Sequence, residues 1–202
     1  MRIVRQIAVV DTKLCTGCEN CRKLCPTLAI TVAGAKRERK AVIEEGACVA
    51  CGICPVRCPE QAITMVPRSI PLVLGVNVAE VPAEKIQTIC HAAHMFPDQI
   101  VCGCTRVQAK EIAAAILQGA RTPEDIARKT GARTGCGVLC ISAVIRLLRG
   151  AGIELDAAPG YQWYGSRVSI WDIPPELVRK YPEYYLAQDR EILDKVFPRG
   201  TK

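Results

Sequence analysis

Two stretches of the sequence repeat one arrangement of sulfur. Residues 15–31 read CTGCENCRKLCPTLAIT, and residues 48–64, thirty-three positions later, read CVACGICPVRCPEQAIT. Both follow C-x2-C-x2-C-x3-C-P and both end Ala-Ile-Thr. Cysteine at this density either pairs into disulfides in an oxidising compartment or ligates metal in a reducing one. A cubane iron–sulfur cluster takes four thiolates. Three closely spaced cysteines on a loop reach three irons of one cube. The fourth, at the far end of a short helical turn and followed by proline, points away and serves a second cube. One cluster then takes Cys15, Cys18, Cys21 and Cys58, and the other takes Cys48, Cys51, Cys54 and Cys25. A zinc-stapled mini-domain competes weakly, because zinc sites show pairs of C-x2-C rather than four cysteines and a proline, twice. Gly17 and Gly52 are read as equivalent loop glycines that free backbone amides to face sulfur.

A second constellation lies in VCGCTRVQAKEIAAAILQGARTPEDIARKTGARTGCGVLCISAVIRLLRGAG. It contributes Cys102, Cys104, Cys136 and Cys140, as C-x-C and C-x3-C. Each pair can bind one iron of a 2Fe–2S rhomb, since an extended i, i+2 pair points its side chains the same way. Two buried cysteines in a helical hairpin are the alternative. Cys90, the thirteenth cysteine, sits in CHAAHMFPD with the only histidines, His91 and His94. Cys90 and His94 would share a helix face, but a packed helix with a spare thiol is the plainer reading.

The elements that must position these sulfurs can be read from pattern. Short strands flank each cysteine loop: RIVRQIAVV and LAITV around the first, KAVIEE and AITMV around the second. In the later region, Thr105 with Gln108 predicts a capping box and Gly119 a helix stop. Ile112, Ile116 and Leu117 recur at helical spacing. Thr122 caps the next helix, Pro123 takes its first position, and Gly131 ends it. A last helix is predicted from Val138 to Arg149, stopping at Gly150. Both cysteine pairs then fall at helix N-termini, where free amides and the positive end of the dipole suit thiolates.

Residues 1–66 resemble the bacterial two-cluster ferredoxin family, on the strength of the doubled C-x2-C-x2-C-x3-C-P motif. The resemblance implies two β-α-β halves related by a pseudo-twofold. Residues 101–152 resemble the 2Fe–2S domain of bacterioferritin-associated ferredoxin, through VCGCTRV, AILQGARTPEDI and TGARTGCG. That module also occurs in multi-subunit amine and amino-acid dehydrogenases. Its second pair is usually C-x2-C. Here Leu139 stands in that slot, so the resemblance makes Cys140 the fourth ligand. The fold expected is α+β: a ferredoxin-like βαβ module, a connector over 67–100 with a short strand and a helix, a small all-α 2Fe–2S module, and an irregular, aromatic-rich docking tail over 153–202.

Composition bounds the function. The 202-residue chain carries 27 basic and 20 acidic residues, a formal charge of +7. Basic chains invite nucleic acid, but three clusters, each a dianion when oxidised with four thiolates, would cancel about six of those charges. The run KRERK reads as a solvated turn between the ferredoxin halves, with steering of an acidic partner as the alternative. No secretory signal, membrane-length apolar run, Walker loop, G-x-G-x-x-G or nucleophile motif is visible. The expectation is a cytoplasmic protein without a substrate site, without nucleic acid and without membrane insertion. It relays single electrons through two 4Fe–4S clusters and one 2Fe–2S cluster, as the small subunit of a larger oxidoreductase whose catalytic subunit a flavoprotein would suit. A free ferredoxin shuttle or iron-release donor is the alternative, with a cluster-containing nucleic-acid-binding protein behind it. Eight of the nine aromatic residues fall in the tail, so docking on a partner and wrapping onto the chain itself are both open for it.

Overall fold

The computed structural model describes residues 1–35, 38–155 and 169–197. Its first part is built from β1 (Arg2–Val10), α1 (Asn20–Leu24), β2 (Ile30–Ala33), β3 (Lys40–Ile43), α2 (Ile53–Arg57) and β4 (Ile63–Leu74). β1 pairs antiparallel with β4, and β2 with β3. Each pair joins an element of one β-α-β half to an element of the other, so exchanging the halves maps one pair onto the other. The repeat is visible in the backbone too. Gly17 and Glu19 have φ of 69° and 67°, and thirty-three residues later Ala50 and Gly52 have φ of 52° and 76°. Gly17 is therefore the counterpart of Ala50, and Gly52 of Glu19: each loop needs two left-handed residues and spends its glycine at a different one. Gly17 also has no room for a side chain, since a Cβ would meet the Arg39 carbonyl oxygen at 2.3 Å.

The core between these strands is small. It consists of Ala8, Ala29, Ile30, Ala41, Ala47 and Ile63 together with Cys21, Cys25, Cys48 and Cys54. Domains this short bury little apolar area and commonly depend on disulfides or metals. Here cysteine itself makes up much of what is buried. The connector's strand is not a separate element, because β4 runs on past residue 66 to Leu74 and keeps its pairing with Arg2–Val4. A β-bulge between Val4 and Gln6 lets the long ribbon continue past its irregularity.

The second core belongs to helices. α3 (Ala83–Ala92), α4 (Ala109–Leu117), α5 (Pro123–Thr130) and α6 (Ile141–Gly150) bury Ile86, Ile89, Met95, Ile112, Ile116, Ile126, Val144, Leu147 and Leu148 against one another. α3 thus packs with the helical module although it lies in the connector. Alanines 113–115 are wholly buried and let α4 sit close to its neighbours. α5 has the predicted punctuation in full: Thr122 and Asp125 form a reciprocal capping box, Pro123 is first, and Gly131 closes the helix at φ 80°.

Two helix starts differ from expectation. α4 is capped by Gln108 with Glu111, not by Thr105 with Gln108. The reason is a two-stranded ribbon, β5 (Ile100–Cys102) with β6 (Val107–Gln108), which occupies the residues that a Thr105 cap would have made helical. α6 starts at Ile141, so Cys140 is its N-cap and Cys136 lies outside it. The tail is largely helical where described: α7 (Pro175–Lys180) and α8 (Leu186–Val196), each preceded by a short 3-10 turn, at Ile170–Asp172 and Pro182–Tyr184. Trp171 stacks on His94 with centroids 3.6 Å apart and planes at 12°, and Phe197 packs on Phe96 at 4.8 Å. The tail therefore wraps onto the end of α3. Tyr161, Trp163 and Tyr164 lie outside the described residues.

Candidate iron–sulfur centres

The first four-cysteine set lines one cavity and the second set lines another. Cys15, Cys18, Cys21 and Cys58 share one small cavity, and Cys25, Cys48, Cys51 and Cys54 share another of similar size. The fourth member crosses over in both directions. It does so because α1 and α2 are single turns ending at Cys25 and Cys58, which carry the last sulfur away from its own loop. Backbone amides meet these crossing sulfurs symmetrically: Ala29 N–H donates to Cys25 Sγ and Ala62 N–H to Cys58 Sγ, both at 3.3 Å. Ala41 N–H donates to Cys15 Sγ at 3.4 Å. Amides aimed at sulfur stabilise negative charge there.

The surroundings are not symmetric. Glu19, Asn20 and Glu60 line the first cavity, and Cys18 is exposed. Ala8, Ile30, Ile43, Val49 and Met65 line the second. Thr27, the repeat counterpart of Glu60, brings its hydroxyl to 3.5 Å from Cys25 Sγ. Burial first, then the crowding of Cys51, Cys48, Cys25 and Cys21, pushes the Cys54 thiol up to about 12. Burial also raises Cys21 and Cys51, with neighbouring cysteines adding to it. Crowded thiols resist ionising together unless a cationic centre sits between them, and a metal inverts that cost. The sulfurs of each set line one shared cavity.

Three cations hold the cysteine loops in contacts that sequence reasoning did not assign them. Lys40 Nζ donates to the Cys15 carbonyl at 2.6 Å, and Arg39 pairs with Glu19 at 2.9 Å. The basic run is therefore more than a solvated turn, because two of its side chains brace the first cysteine loop. Arg68, its side chain 4% exposed, does the same for the second loop by donating to the carbonyls of Glu45 and Cys48. Its signal in the sequence was only a charge inside a strand of apolar character.

In the helical module, Cys102 ends β5 and Cys104 sits in the turn of the ribbon, so this pair is presented by a hairpin rather than by a helix N-terminus. Cys102 and Cys140 are neighbours, as are Cys104 and Cys136. Cys140 is 2% exposed, and burial first, then Cys102, pushes its thiol up to about 12. Cys102 is shifted down: burial opposes this, but Thr105 and the Arg133 amide outweigh it. The Thr105 hydroxyl is buried beside that sulfur without a well-formed hydrogen bond. Cys136 is shifted down by the amides of Leu139 and Val138. Leu139 thus offers its amide to Cys136 while its side chain is 86% exposed, and the next residue, Cys140, turns inward. Gly135 is required by proximity, since a Cβ there would lie 2.5 Å from Cys104 Cβ. Arg133 is held by a buried ion pair with Glu124 at 2.7 Å, both side chains 3% exposed. His94 stacks on Trp171 and Cys90 is buried without joining any of these sets.

These features define an iron–sulfur protein of the electron-transfer type, with two kinds of cluster-binding domain in one chain. Residues 14–62 match the model of a 4Fe-4S dicluster domain, and residues 100–149 match that of a BFD-like 2Fe-2S binding domain. No curated protein and no solved structure matched the chain. No helix among the described residues is long and apolar enough to cross a membrane.

Proposed function

We propose that the chain relays single electrons as the small subunit of a larger oxidoreductase. It would hold one 4Fe–4S cluster on Cys15, Cys18, Cys21 and Cys58, a second on Cys25, Cys48, Cys51 and Cys54, and a 2Fe–2S cluster on Cys102, Cys104, Cys136 and Cys140. The observation that carries this is the exchange of Cys25 and Cys58 between two near-equal cavities. When bound, such clusters supply one-electron storage and transfer over a wide range of potentials. The chain's own part is to ionise and aim the thiolates, to donate Ala29, Ala41 and Ala62 amides to them, and to exclude water from the second site with apolar walls.

The subunit role rests on the tail and on the absence of substrate-site motifs. Tyr184 and Tyr185 remain more than 60% exposed, and Tyr181 39%. Exposed tyrosine is a favoured anchor at protein interfaces. The natural partner is a catalytic subunit that handles substrate, and a flavoprotein suits the one-electron exit. Thirteen cysteines, twelve of them at cluster-ligand spacing, support a cytoplasmic setting, where thiols stay reduced.

Iron and acid-labile sulfide analysis with EPR of the reduced protein tests the cluster content. The expected result is about ten irons per chain and two kinds of signal. About eight irons without a 2Fe–2S signal after anaerobic isolation would remove the helical centre. Size exclusion of the native protein from extract tests the subunit role, and elution near 22.0 kDa would sink it in favour of a free shuttle.

A further inference from the structure

Among the described residues the two modules meet along α5 and across a cleft. The cleft, of ≈500 Å3, is walled on one side by Lys23, Leu24, Cys51 and Val56, and on the other by Cys136 and Val138. A cysteine of a four-cysteine set, Cys51, and a cysteine of the helical module, Cys136, both line it. None of Cys15, Cys18, Cys21 and Cys58 lines it. Beside the cleft the modules are bonded. Arg128 Nε, on α5, donates to the Thr27 carbonyl at 2.8 Å, and Gly75 N–H donates to the Lys129 carbonyl at 2.7 Å. Thr27 is the residue whose hydroxyl touches Cys25 Sγ, and Cys25 belongs to the second cavity by the crossover. Cys21, from the first set, packs in one buried cluster with Cys25, Cys48 and Cys54 of the second. The first set then ends at Cys18, which faces solvent.

We infer that the three sites form a line, with the Cys25/Cys48/Cys51/Cys54 site in the middle. The Cys102/Cys104/Cys136/Cys140 site lies at one end and the Cys15/Cys18/Cys21/Cys58 site, opening at Cys18, at the other. Thr27 and Arg128 are positioning residues for the inner junction: they fix α5 against the turn that delivers Cys25. The doubled motif and its reciprocal crossover leave the two cubane sites interchangeable, and the docking of the helical module at Thr27 and beside Cys51 breaks that equivalence. Because the crossover moves the C-terminal end of α1 to the second site, the residues facing the helical module come from both halves yet serve one site. An electron accepted at either end would reach the other end through the middle site, and a partner at the solvent-facing end would meet Cys18.

This ordering rests on the three-cluster reading, and its test is chosen to fail separately. Cys18→Ala and Cys51→Ala remove equivalent ligands of the repeat from the outer and the middle site. Iron analysis checks that each variant lacks one 4Fe–4S cluster. A variant that keeps its iron is replaced by the double variant with the neighbouring ligand, Cys15 or Cys48. The readout is microwave-power saturation of the 2Fe–2S EPR signal in fully reduced protein, which a nearby paramagnet makes harder to saturate. Loss of the middle site is expected to make that signal saturate at several-fold lower power, and loss of the outer site to leave it unchanged. Equal effects, or a larger effect from Cys18→Ala, would overturn the line. Absence of any 2Fe–2S signal in the wild type would instead defeat the functional reading beneath it. Should the cysteine variants fail to fold, Arg128→Ala in the intact chain is expected to shift the potential of only one 4Fe–4S cluster. An equal shift of both, or of neither, would overturn the assignment.

Discussion

Gly135→Ala is expected to abolish the 2Fe–2S centre while sparing the ferredoxin-like half. The built Cβ would stand 2.5 Å from Cys104 Cβ and 2.9 Å from its sulfur. Carbon atoms rest about 3.5–4.0 Å apart, so a gap of about 1 Å must open between the 133–137 loop and the ribbon turn. Metal ligands tolerate shifts of about 0.2 Å. The overpacking itself would cost about 1–3 kcal/mol, which the module survives. The displaced sulfur does not keep its place beside Cys136. Gly103 supplies the matched control: it lies between Cys102 and Cys104, and a Cβ there meets nothing within 4 Å. The assay is iron content with EPR and visible circular dichroism of both variants, isolated anaerobically. Gly135→Ala should lose about two irons and the 2Fe–2S signature, and Gly103→Ala should keep both. A normal 2Fe–2S spectrum from Gly135→Ala would refute the claim that Cys104 is seated against that glycine. Parallel loss from both variants would show that the ribbon tolerates no change at all.

The remaining predictions concern stability, reactivity and the tail. Glu124→Gln leaves the Arg133 guanidinium buried beside a neutral amide. The cost is about 3–5 kcal/mol, or a fall of roughly 15 °C or more in the melting of the helical module; a fall of only a few degrees by calorimetry would contradict it. Cys90 is wholly buried and burial pushes its thiol up to about 11. At pH 8 only about one molecule in a thousand is ionised there. A raised pKa keeps the thiol protonated until pH climbs through it, so alkylation of Cys90 in the native protein should be negligible at pH 8, rise about tenfold per pH unit toward 11, and become fast at any of these values after unfolding. Peptide mapping that found Cys90 modified quickly at pH 8 would count against its burial. Trp171→Ala removes the stack on His94 and the hydrogen bond to Asp194. It should expose the tail to limited proteolysis while leaving iron content unchanged, and an unaltered cleavage pattern would mean the tail is held elsewhere.

The cysteine sets proposed to hold clusters were legible because their spacing is local. A loop that offers three sulfurs to one centre must space them two residues apart, and the sequence carries that spacing twice. The α5 boundaries were legible for the same reason: Thr122, Pro123, Asp125 and Gly131 act within one turn of the helix ends. The start of α4 was misjudged because β5 and β6 are three and two residues long. Strands that short show no alternation, and a Thr-x-x-Gln pattern then looks like a cap. Arg68 and Lys40 were missed because each acts on a carbonyl twenty or more residues away, which leaves no period to read.

The amino-acid sequence by itself determined the spacing of the three cysteine sets and the α+β character, since spacing, caps and turns are short-range properties of the chain. Tertiary structure alone decided which surroundings each site receives. Glu60 faces one cavity and Thr27 approaches the sulfur of the other, although the two are equivalent in the repeat. It also decided that Cys140 turns inward behind an exposed Leu139, and that Cys51 and Cys136 face one cleft. The shared cleft depends on packing of the two modules, as where Arg128 on α5 reaches the Thr27 carbonyl about a hundred positions away. The physical reason is that pairing across such distances is set by packing and closure of the whole chain, which no local pattern encodes.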